Sequence, residues 1–185
     1  FTQEQLDFRK NIREFVDKEV LPQAQRIDIS SKFPYQIIKR CGELGFLDHL
    51  FSSETNYSNM EVTRGVIFLE EISRGLGSLG LILCPHFQGT TLLSTAASES
   101  LRTELIKQVY TGEKLFAYAI SEASGGTNAL DIATIAVRDG AEWVINGTKC
   151  WITNAGIADG YFISARTASS SQRRSISFFY IDSSD

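Results

Sequence analysis

The sequence predicts an α+β fold: an N-terminal all-α helical domain followed by a mostly antiparallel, β-barrel-like domain. Over the first part of the chain, apolar residues recur near the helical period. After Gly112, short β-type runs alternate with turn dipeptides. Helices and strands that are segregated along a chain are typical of α+β proteins or of two domains, and not of alternating α/β sheets. We therefore expect a helical domain over residues 1–112 and an incomplete β domain over residues 113–185.

Capping residues and prolines place the first three helices. Thr2 and Gln5 match a capping box at the start of the first helix, and we expect Pro22 to end that helix. Pro34 suits the first turn of a second helix. A third helix is predicted over residues 59–74, where apolar side chains form one stripe.

Two further helices complete the predicted helical domain. An apolar helix is expected over residues 79–97, and Pro85 could kink it. Ser98 or Ser100 can cap the last helix, and Gly112 stops it.

The predicted strands are short runs separated by glycine-containing turns. Asp139-Gly140 and Asn146-Gly147 are dipeptides that favour hairpin turns. The small polar residues 168–172 are expected to form a hairpin loop. The strand-like runs cover residues 115–120, 133–137, 143–145, 150–152, 161–165 and 175–181.

Charge and hydropathy argue against two classes of function. The net charge of −4, from 18 basic and 22 acidic residues, provides no basic face for nucleic acid, and Arg173-Arg174 fits a solvated loop. No apolar run approaches the roughly 20 residues that cross a bilayer, so no membrane span is expected.

Cysteine and histidine are too few and too scattered for a disulfide framework or a zinc site. Cys41, Cys84 and Cys150 are odd in number and widely spaced, so we expect reduced thiols, as in a cytosol-like compartment. The histidines are His49 and His86, no Cys-x-x-Cys pair is present, and no metal site is predicted. We expect His86 to be a packed side chain or a helix cap.

A Gly/Ser/Thr-rich loop follows the first predicted strand, within residues 118–128. Glycines let a backbone come close to a ligand, and backbone amides in such a loop could hold a phosphate. The segment lacks the Gly-Lys-Ser/Thr of a P-loop and the Gly-x-Gly-x-x-Gly of a Rossmann fingerprint. Taken alone, it is explained better as a tight connection between strands.

A second segment, residues 146–156, carries an aromatic and a hydroxyl side chain two positions apart. On a strand, Trp151 and Thr153 would point to the same side. Such a pair suits a flat heteroaromatic ring, on which the indole can stack while the hydroxyl forms a hydrogen bond. The spacing alone favours a simpler explanation, a core tryptophan beside an unrelated threonine.

Together and in this order, the two segments resemble motifs of the acyl-CoA dehydrogenase family. That family's middle domain carries a motif close to Leu-Thr-Glu-Pro-x-Ala-Gly-Ser-Asp, and the corresponding string here is ISEASGGTN at residues 120–128. Its second motif, Asn-Gly-x-Lys-x-Trp-Ile-Thr-Asn, is matched in full by NGTKCWITN at residues 146–154. The helical front, including CGELGF at residues 41–46, fits as well, so the resemblance covers the whole chain.

The resemblance implies a FAD site to which both motifs contribute. In the first motif's strand and loop, Tyr118, Ile120 and Ser121 would lie at the flavin edge, through backbone and hydroxyl hydrogen bonds. Gly126 would allow close approach of the backbone, and Thr127 would contact the cofactor phosphate or the bound thioester. The protein then positions the ring, and the flavin supplies the redox chemistry.

The second motif contributes the other cofactor contacts that the resemblance implies. Trp151 would pack against the flavin, with Ile152 next to it in the site. Thr153 would hydrogen-bond near N5, the flavin atom that accepts hydride.

The family's reaction is the α,β-dehydrogenation of an acyl-CoA or acyl-carrier-protein thioester. A glutamate removes the α-proton, the β-hydrogen leaves as hydride, and a trans-2-enoyl thioester forms. That glutamate lies in the family's C-terminal four-helix domain, beyond residue 185, so no catalytic residue is assigned here and this piece alone is expected to be inactive. Glu122 lies within the first motif and is interpreted as structural.

The family's acyl pocket runs along the fourth helix. This implies substrate contacts for Phe87, Gly89, Thr90 and Thr91, in addition to Thr127, although helix packing explains the helical positions about as well.

The first motif also departs from the family pattern. Ala123 replaces the proline, which frees a φ angle, and Thr127-Asn128 replaces Ser-Asp while keeping hydrogen-bonding groups. These changes bear on the substrate more than on the cofactor.

The resemblance further implies partners and a location. The acceptor would be electron-transfer flavoprotein or a similar protein, and the enzyme a homodimer or homotetramer, in the cytoplasm or, in a eukaryote, the mitochondrial matrix. Two alternatives remain open: a flavin oxidase or monooxygenase of the same fold, and a non-catalytic helical scaffold with a β binding module. The scaffold alternative predicts that Trp151 is buried in protein.

Overall fold

The computed structural model describes residues 1–48, 62–167 and 175–184. The chain divides into two compact units, Phe1–Lys114 and Leu115–Asp185. In the described residues, the first unit is helical and the second carries the strands, which confirms the α+β class. The predicted loop at 168–172, Arg173-Arg174 and His49 lie outside the described residues.

The helical unit begins at the expected capping box. The Thr2 hydroxyl accepts the Gln5 amide, and the Thr2 amide donates to the Gln5 side chain. Its described elements are α1 (Gln3–Phe15), a π-helical turn (Val16–Val20), α2 (Leu21–Ser30), α3 (Tyr35–Glu43), α4 (Val62–Gly75), α5 (Gly77–Thr95) and α6 (Glu99–Tyr110).

The expectation that Pro22 ends the first helix is wrong. The π-helical turn leads from α1 straight into α2, and Pro22 lies in the first turn of α2. Proline lacks a backbone N–H donor, and the π-helical turn already interrupts the regular helical hydrogen-bond pattern immediately before it. Pro34 lies one position earlier than expected, as the N-cap residue of α3.

The later helices follow the prediction more closely. α5 contains Pro85 in its interior. Ser98 caps α6 because its hydroxyl accepts the Leu101 amide. Gly112 follows α6 with a φ of +71°, the left-handed conformation expected where a glycine stops a helix.

A cluster of buried phenylalanines forms the core of the helical unit. The Phe46 ring centroid lies 6.2 Å from that of Phe8, 5.6 Å from that of Phe15 and 6.1 Å from that of Phe68. Phe68 also packs edge-on against Phe87, with 5.5 Å between the ring centroids. Burial of one such side chain contributes about 1.5–3 kcal/mol, so this cluster ties α1, α4 and α5 together.

The β unit contains one sheet in its described residues. One edge of β4 pairs with β5, and the other pairs first with β1 and then with β2, which in turn pairs with β3. The sheet does not close into a barrel within this part of the chain. The strands are β1 (Phe116–Ala119), β2 (Ile135–Asp139), β3 (Glu142–Asn146), β4 (Gly160–Arg166) and β5 (Ile176–Asp182).

The sheet is mixed, but most of its registered residue pairs are antiparallel, as expected. β1 and β4 are parallel from Phe116↔Gly160 onward, and β2 meets β4 in parallel at Ile135↔Arg166. The β2–β3 and β4–β5 pairs are antiparallel. Parallel neighbours need a long connection, so turn dipeptides, which report on adjacent strands, carry no signal for them.

Candidate functional site

A buried ion pair joins the two sequence motifs. Lys149 Nζ lies 2.9 Å from Glu122 Oε1, and the two side chains are only 9% and 4% exposed. Lys149 also donates to the Ile120 carbonyl at 3.0 Å and to the Ser164 hydroxyl at 3.2 Å. An ammonium has three N–H groups, so these acceptors can satisfy all of them. The pair therefore links the residues after β1 to the second motif and to β4.

The Glu122 carboxylate closes the base of the Gly/Ser/Thr loop. It accepts hydrogen bonds from the Ala133 amide, the Thr134 amide at 2.9 Å and the Thr134 hydroxyl, while residues 123–131 between them are exposed. Burial would raise the pKa of Glu122, but hydrogen bonds from Thr134, Ala133 and Lys149 outweigh that effect and lower the pKa to about 2. Such a carboxylate is a permanently charged anchor and a poor base, which fits the structural interpretation.

Lys149 lies within the second motif, but the sequence pattern alone assigned it no role. The sequence nevertheless contains a signal for the ion pair. A lysine between otherwise apolar or small neighbours needs an acid if it is buried, and the first motif supplies one acid, Glu122.

The predicted strand at residues 150–152 is wrong. β3 ends at Asn146 and the next strand begins at Gly160. Trp151 and Asn154 have left-handed φ angles of +59° and +71°. Residues 151–153 form no strand, so strand alternation does not place Trp151 and Thr153 on one side.

The predicted hairpin at Asn146-Gly147 is wrong as well, for a packing reason. A Cβ on Gly147 would lie 2.7 Å from the Thr134 Cα, so this glycine permits close backbone approach instead of a turn. The Asp139-Gly140 hairpin is confirmed: Asp139 pairs with Glu142, and Gly140 has a φ of +62°.

Hydrogen bonds made by the neighbouring residues Cys150 and Asn154, and not packing of its own side chain, hold Trp151 in place. Its side chain is 93% exposed. On one side, the Cys150 amide donates to the Ser121 carbonyl at 2.9 Å; on the other, Asn154 Nδ2 donates to the Phe116 carbonyl at 3.0 Å. An indole presented in this way offers an open face on which a flat ring can stack.

Three hydroxyls near these anchors have no hydrogen-bond partner among the described residues: those of Ser121, Thr127 and Thr153. A Cβ on Gly126 would come within 3.1 Å of the Ser121 hydroxyl oxygen, so the loop passes close to that hydroxyl. These groups are available as donors or acceptors to a polar ligand.

Other predicted cofactor residues face the protein. Tyr118 stacks on Phe178, with 5.3 Å between ring centroids and 18° between planes, and burial raises its pKa. The Ile120 carbonyl accepts from Lys149. Ile152 lines a cavity of about 330 Å³ in the β unit, with Ile145 and other mostly apolar residues.

The predicted substrate residues of α5 make contacts of ordinary helix packing. Phe87 and Thr90 are buried, and the Thr90 hydroxyl donates to the His86 carbonyl at 2.7 Å. The half-buried Thr91 donates to the Phe87 carbonyl at 2.8 Å, and Gly89 is buried. His86 itself is fully buried; burial, opposed by a hydrogen bond with the Val109 backbone, lowers its pKa to about 4.

In residues 1–48, 62–167 and 175–184, no group of three or more His, Cys, Asp or Glu side chains could hold a metal ion. No helix in these ranges is long and apolar enough to cross a membrane. A larger groove, of about 460 Å³, lies between α2 and α3 and contains none of the candidate residues.

Comparison with protein families identifies both units. The model of the acyl-CoA dehydrogenase N-terminal domain matches residues 2–113, and that of the acyl-CoA dehydrogenase middle domain matches residues 117–185. The chain belongs to the acyl-CoA dehydrogenase family. The resemblance noted in the sequence is therefore confirmed.

Individual members of the acyl-CoA dehydrogenase family agree with this assignment. The short-chain specific acyl-CoA dehydrogenase of Clostridium acetobutylicum is 35% identical over 182 residues, which cover 98% of this chain and 48% of that protein. This chain thus spans about half the length of the relative it matches.

Solved structures show the same architecture. A glutaryl-coenzyme A dehydrogenase in complex with glutaryl-CoA superposes with a TM-score of 0.90 and 30% identity, over 98% of this chain and 47% of that one. A glutaryl-CoA dehydrogenase from Mycobacterium smegmatis in complex with FADH2 gives 0.85 and 25%, over 98% and 46%. A structure described as an electron transferring flavoprotein of Acidaminococcus fermentans gives 0.89 and 26%, over 98% and 48%.

Proposed function

We propose that this chain is the N-terminal and middle part of a FAD-dependent acyl-CoA dehydrogenase, which converts an acyl thioester to its trans-2-enoyl thioester. The observation that carries the proposal is Trp151, which is 93% exposed although the preceding residue, Cys150, is bound through its backbone amide to Ser121 of the first motif. The short-chain acyl-CoA and glutaryl-CoA dehydrogenases among the relatives support this class of reaction.

The residues of the β unit fit a flavin nucleotide. Trp151 offers a face for stacking, and the hydroxyls of Ser121, Thr127 and Thr153 are open to a polar ligand. Gly126 has no side chain, so a phosphate or ribose could approach the loop backbone closely at this position. When bound, FAD supplies the hydride acceptor for the substrate's β-hydrogen. The similar structure that contains FADH2 supports this choice of cofactor.

The remaining predicted cofactor residues act by placing the backbone. Tyr118 fixes the end of β1 by stacking on Phe178, and the Ile120 carbonyl is fixed by Lys149. Ile152 lines one wall of the cavity in the β unit, next to Trp151 in the chain. These residues would orient the flavin edge without supplying its polar contacts.

The base that takes the substrate's α-proton is proposed to lie outside residues 1–185. Glu122 is the acid of the first motif, but its carboxylate is occupied by Ala133, Thr134 and Lys149, and its pKa is about 2. A general base works best when its pKa lies near the working pH, so Glu122 is unsuited to that step.

Substrate, acceptor and assembly belong to the same proposal. The substrate is an acyl-CoA or acyl-carrier-protein thioester, with Thr127 and the α5 residues Phe87, Thr90 and Thr91 as candidate contacts. The acceptor is electron-transfer flavoprotein or a similar protein, in keeping with the electron transferring flavoprotein structure above. The proposed assembly is a homodimer or homotetramer, and the proposed location is the cytoplasm, or the mitochondrial matrix in a eukaryote.

The chain's two tryptophans allow a matched test of this site. In protein made from the full reading frame, Trp151→Leu should weaken FAD binding by about tenfold, since base–aromatic stacking contributes about 1–3 kcal/mol. Trp143→Leu removes a tryptophan that packs against Phe179, so it should lower stability but leave FAD affinity unchanged. Titration of the FAD-free protein gives both affinities. Equal FAD affinities for the two variants would contradict the assignment of Trp151.

The same protein separates the proposed function from its alternatives. A dehydrogenase passes electrons to an acceptor protein, whereas an oxidase or monooxygenase consumes oxygen when given a thioester. The scaffold alternative predicts a buried Trp151, and the exposed indole contradicts that prediction.

A further inference from the structure

The side chains proposed to meet FAD do not hold one another in place. Trp151 is 93% exposed, and the loop at residues 123–131 is exposed along its length. When side chains have no packing neighbours, the backbone that carries them determines their position. A cofactor site works only when its contacts are held close to the productive geometry, so something beneath these two segments must fix their spacing.

Lys149 and Glu122 are the groups that reach both segments. Lys149 lies two residues before Trp151, and its ammonium binds the Ile120 carbonyl, the residue before Ser121. Glu122 follows Ser121 and accepts that same ammonium at 2.9 Å. The adjacent Cys150 amide adds a direct bond to the Ser121 carbonyl at 2.9 Å. The Lys149 ammonium therefore sets the distance between the start of the loop, after Ser121, and the turn at Trp151.

Glu122 also fixes the far end of the loop. Its two oxygens take the amides of Ala133 and Thr134 and the Thr134 hydroxyl, immediately before β2. Both ends of the exposed stretch thus meet at one carboxylate. A carboxylate on a side chain of different length, or a neutral amide, could not accept all of these hydrogen bonds at once.

The pair is buried and satisfied, and through Ser164 on β4 it borders the core of the β unit. That core contains Phe116, Ala117 and Ala165, all fully buried, with Phe162 against Phe116 at 5.2 Å. A buried ion pair is weak evidence for overall stability, because its replacement by apolar residues is often neutral or stabilising, and we assign this pair a role in selecting one conformation. Its loss should therefore disturb the loop and the turn more than it disturbs the sheet.

We propose that Glu122 and Lys149 form a positioning pair that holds the loop after Ser121 and the turn at Trp151 at the spacing FAD requires. Neither residue touches cofactor or substrate; they act through the backbone of Ile120, Ser121 and Trp151. This inference rests on the proposed function, because it concerns the same site.

The first test needs no flavin. In the FAD-free protein from the full reading frame, Lys149→Met should increase amide hydrogen exchange in peptides covering residues 119–128 and 147–154. Glu71→Gln, which removes a buried charge from the helical unit, is the control and should leave exchange in those two peptides unchanged. Unchanged exchange in Lys149→Met would overturn the inference, whether or not the protein binds FAD.

The second test measures FAD affinity together with melting temperature. Lys149→Met and Glu122→Gln should each weaken FAD binding on the order of 10- to 100-fold, as loss of a supporting contact typically does. The double variant Glu122→Gln/Lys149→Met leaves no unpaired charge, so it should regain melting temperature but not FAD affinity. It also serves if a single variant fails to fold.

The outcomes distinguish failure of the positioning role from failure of the proposed function. If the wild-type protein binds FAD and the double variant regains both melting temperature and FAD affinity, the pair is merely structural. The positioning role then fails, and the proposed function stands. If the wild-type protein takes up no FAD, the proposed function fails, and the role of the Glu122–Lys149 pair in positioning FAD contacts fails with it.

Discussion

Neutralising Glu71 should destabilise the helical unit far more than neutralising its neighbour Glu70. Glu71 is 1% exposed and accepts hydrogen bonds from Arg13 at 2.6 and 2.9 Å and from Arg74 at 3.2 Å, with Arg9 at 3.5 Å. Glu70 pairs with Arg9, but its side chain is 60% exposed. The two residues are adjacent on α4, so Glu71→Gln and Glu70→Gln form a matched pair.

The size of the effect follows from what glutamine keeps. Its volume and one carbonyl oxygen remain, so the loss is that of charge-assisted bonds, each contributing about 1.5–3 kcal/mol and not additive within one network. The three arginine side chains are 24%, 53% and 38% exposed, so water can hydrate them again. The loss should therefore lie at or just below the lower end of the about 3–5 kcal/mol seen when a buried charge is stranded. We expect about 2–3 kcal/mol for Glu71→Gln and at most about 0.5 kcal/mol for Glu70→Gln.

The Glu71 contribution should also depend on pH. Hydrogen bonds from Arg13 lower the pKa of Glu71, burial opposes them, and Arg74 adds to the lowering. A carboxyl group with a lowered folded pKa stabilises fully above its unfolded pKa of about 4.3 and loses that contribution as the pH falls through the folded value. The difference between the wild type and Glu71→Gln should thus be full at neutral pH and shrink in acid.

Urea denaturation followed by far-ultraviolet circular dichroism measures both effects. The reasoning predicts a large, acid-sensitive loss for Glu71→Gln and a small loss for Glu70→Gln. Equal losses at neutral pH, or a Glu71→Gln effect that stays constant into acid, would refute it.

Two further predictions concern close packing and thiol reactivity. Gly42→Ala should destabilise the protein by about 1–3 kcal/mol, because its Cβ would lie 2.2 Å from the Thr111 carbonyl oxygen. Gly77→Ala has open space around it and should be neutral or slightly stabilising, so melting temperatures that fall equally would contradict this reading. In native protein, Cys41 should resist a thiol reagent that labels the half-buried Cys84, because burial raises the pKa of Cys41 to about 12. Mass spectrometry after brief labelling checks this, and comparable labelling of both thiols would contradict it.

Local chemistry made part of the fold predictable. The Thr2–Gln5 capping box, the Ser98 cap and the Asp139-Gly140 hairpin each depend on neighbouring residues, and each is confirmed. Pro22 shows the limit of such rules: proline both ends helices and begins them, and the sequence does not say which applies.

Contacts between distant residues were beyond those rules. The parallel pairing of β1 with β4 joins Phe116 to Gly160 across an intervening hairpin, and strand pattern alone does not choose the partner. The left-handed φ of Trp151 could not be predicted, because the local sequence is rich in strand-forming residues. Its conformation is fixed by anchors such as Lys149, whose acid lies in the other motif.

The most direct test of the proposed function is the visible absorption of the protein made from its full reading frame, before and after an acyl-CoA is added without oxygen. We expect flavin absorption bands that bleach when the thioester is added, with a trans-2-enoyl thioester as product. A colourless protein that takes up no added FAD would contradict the proposed function.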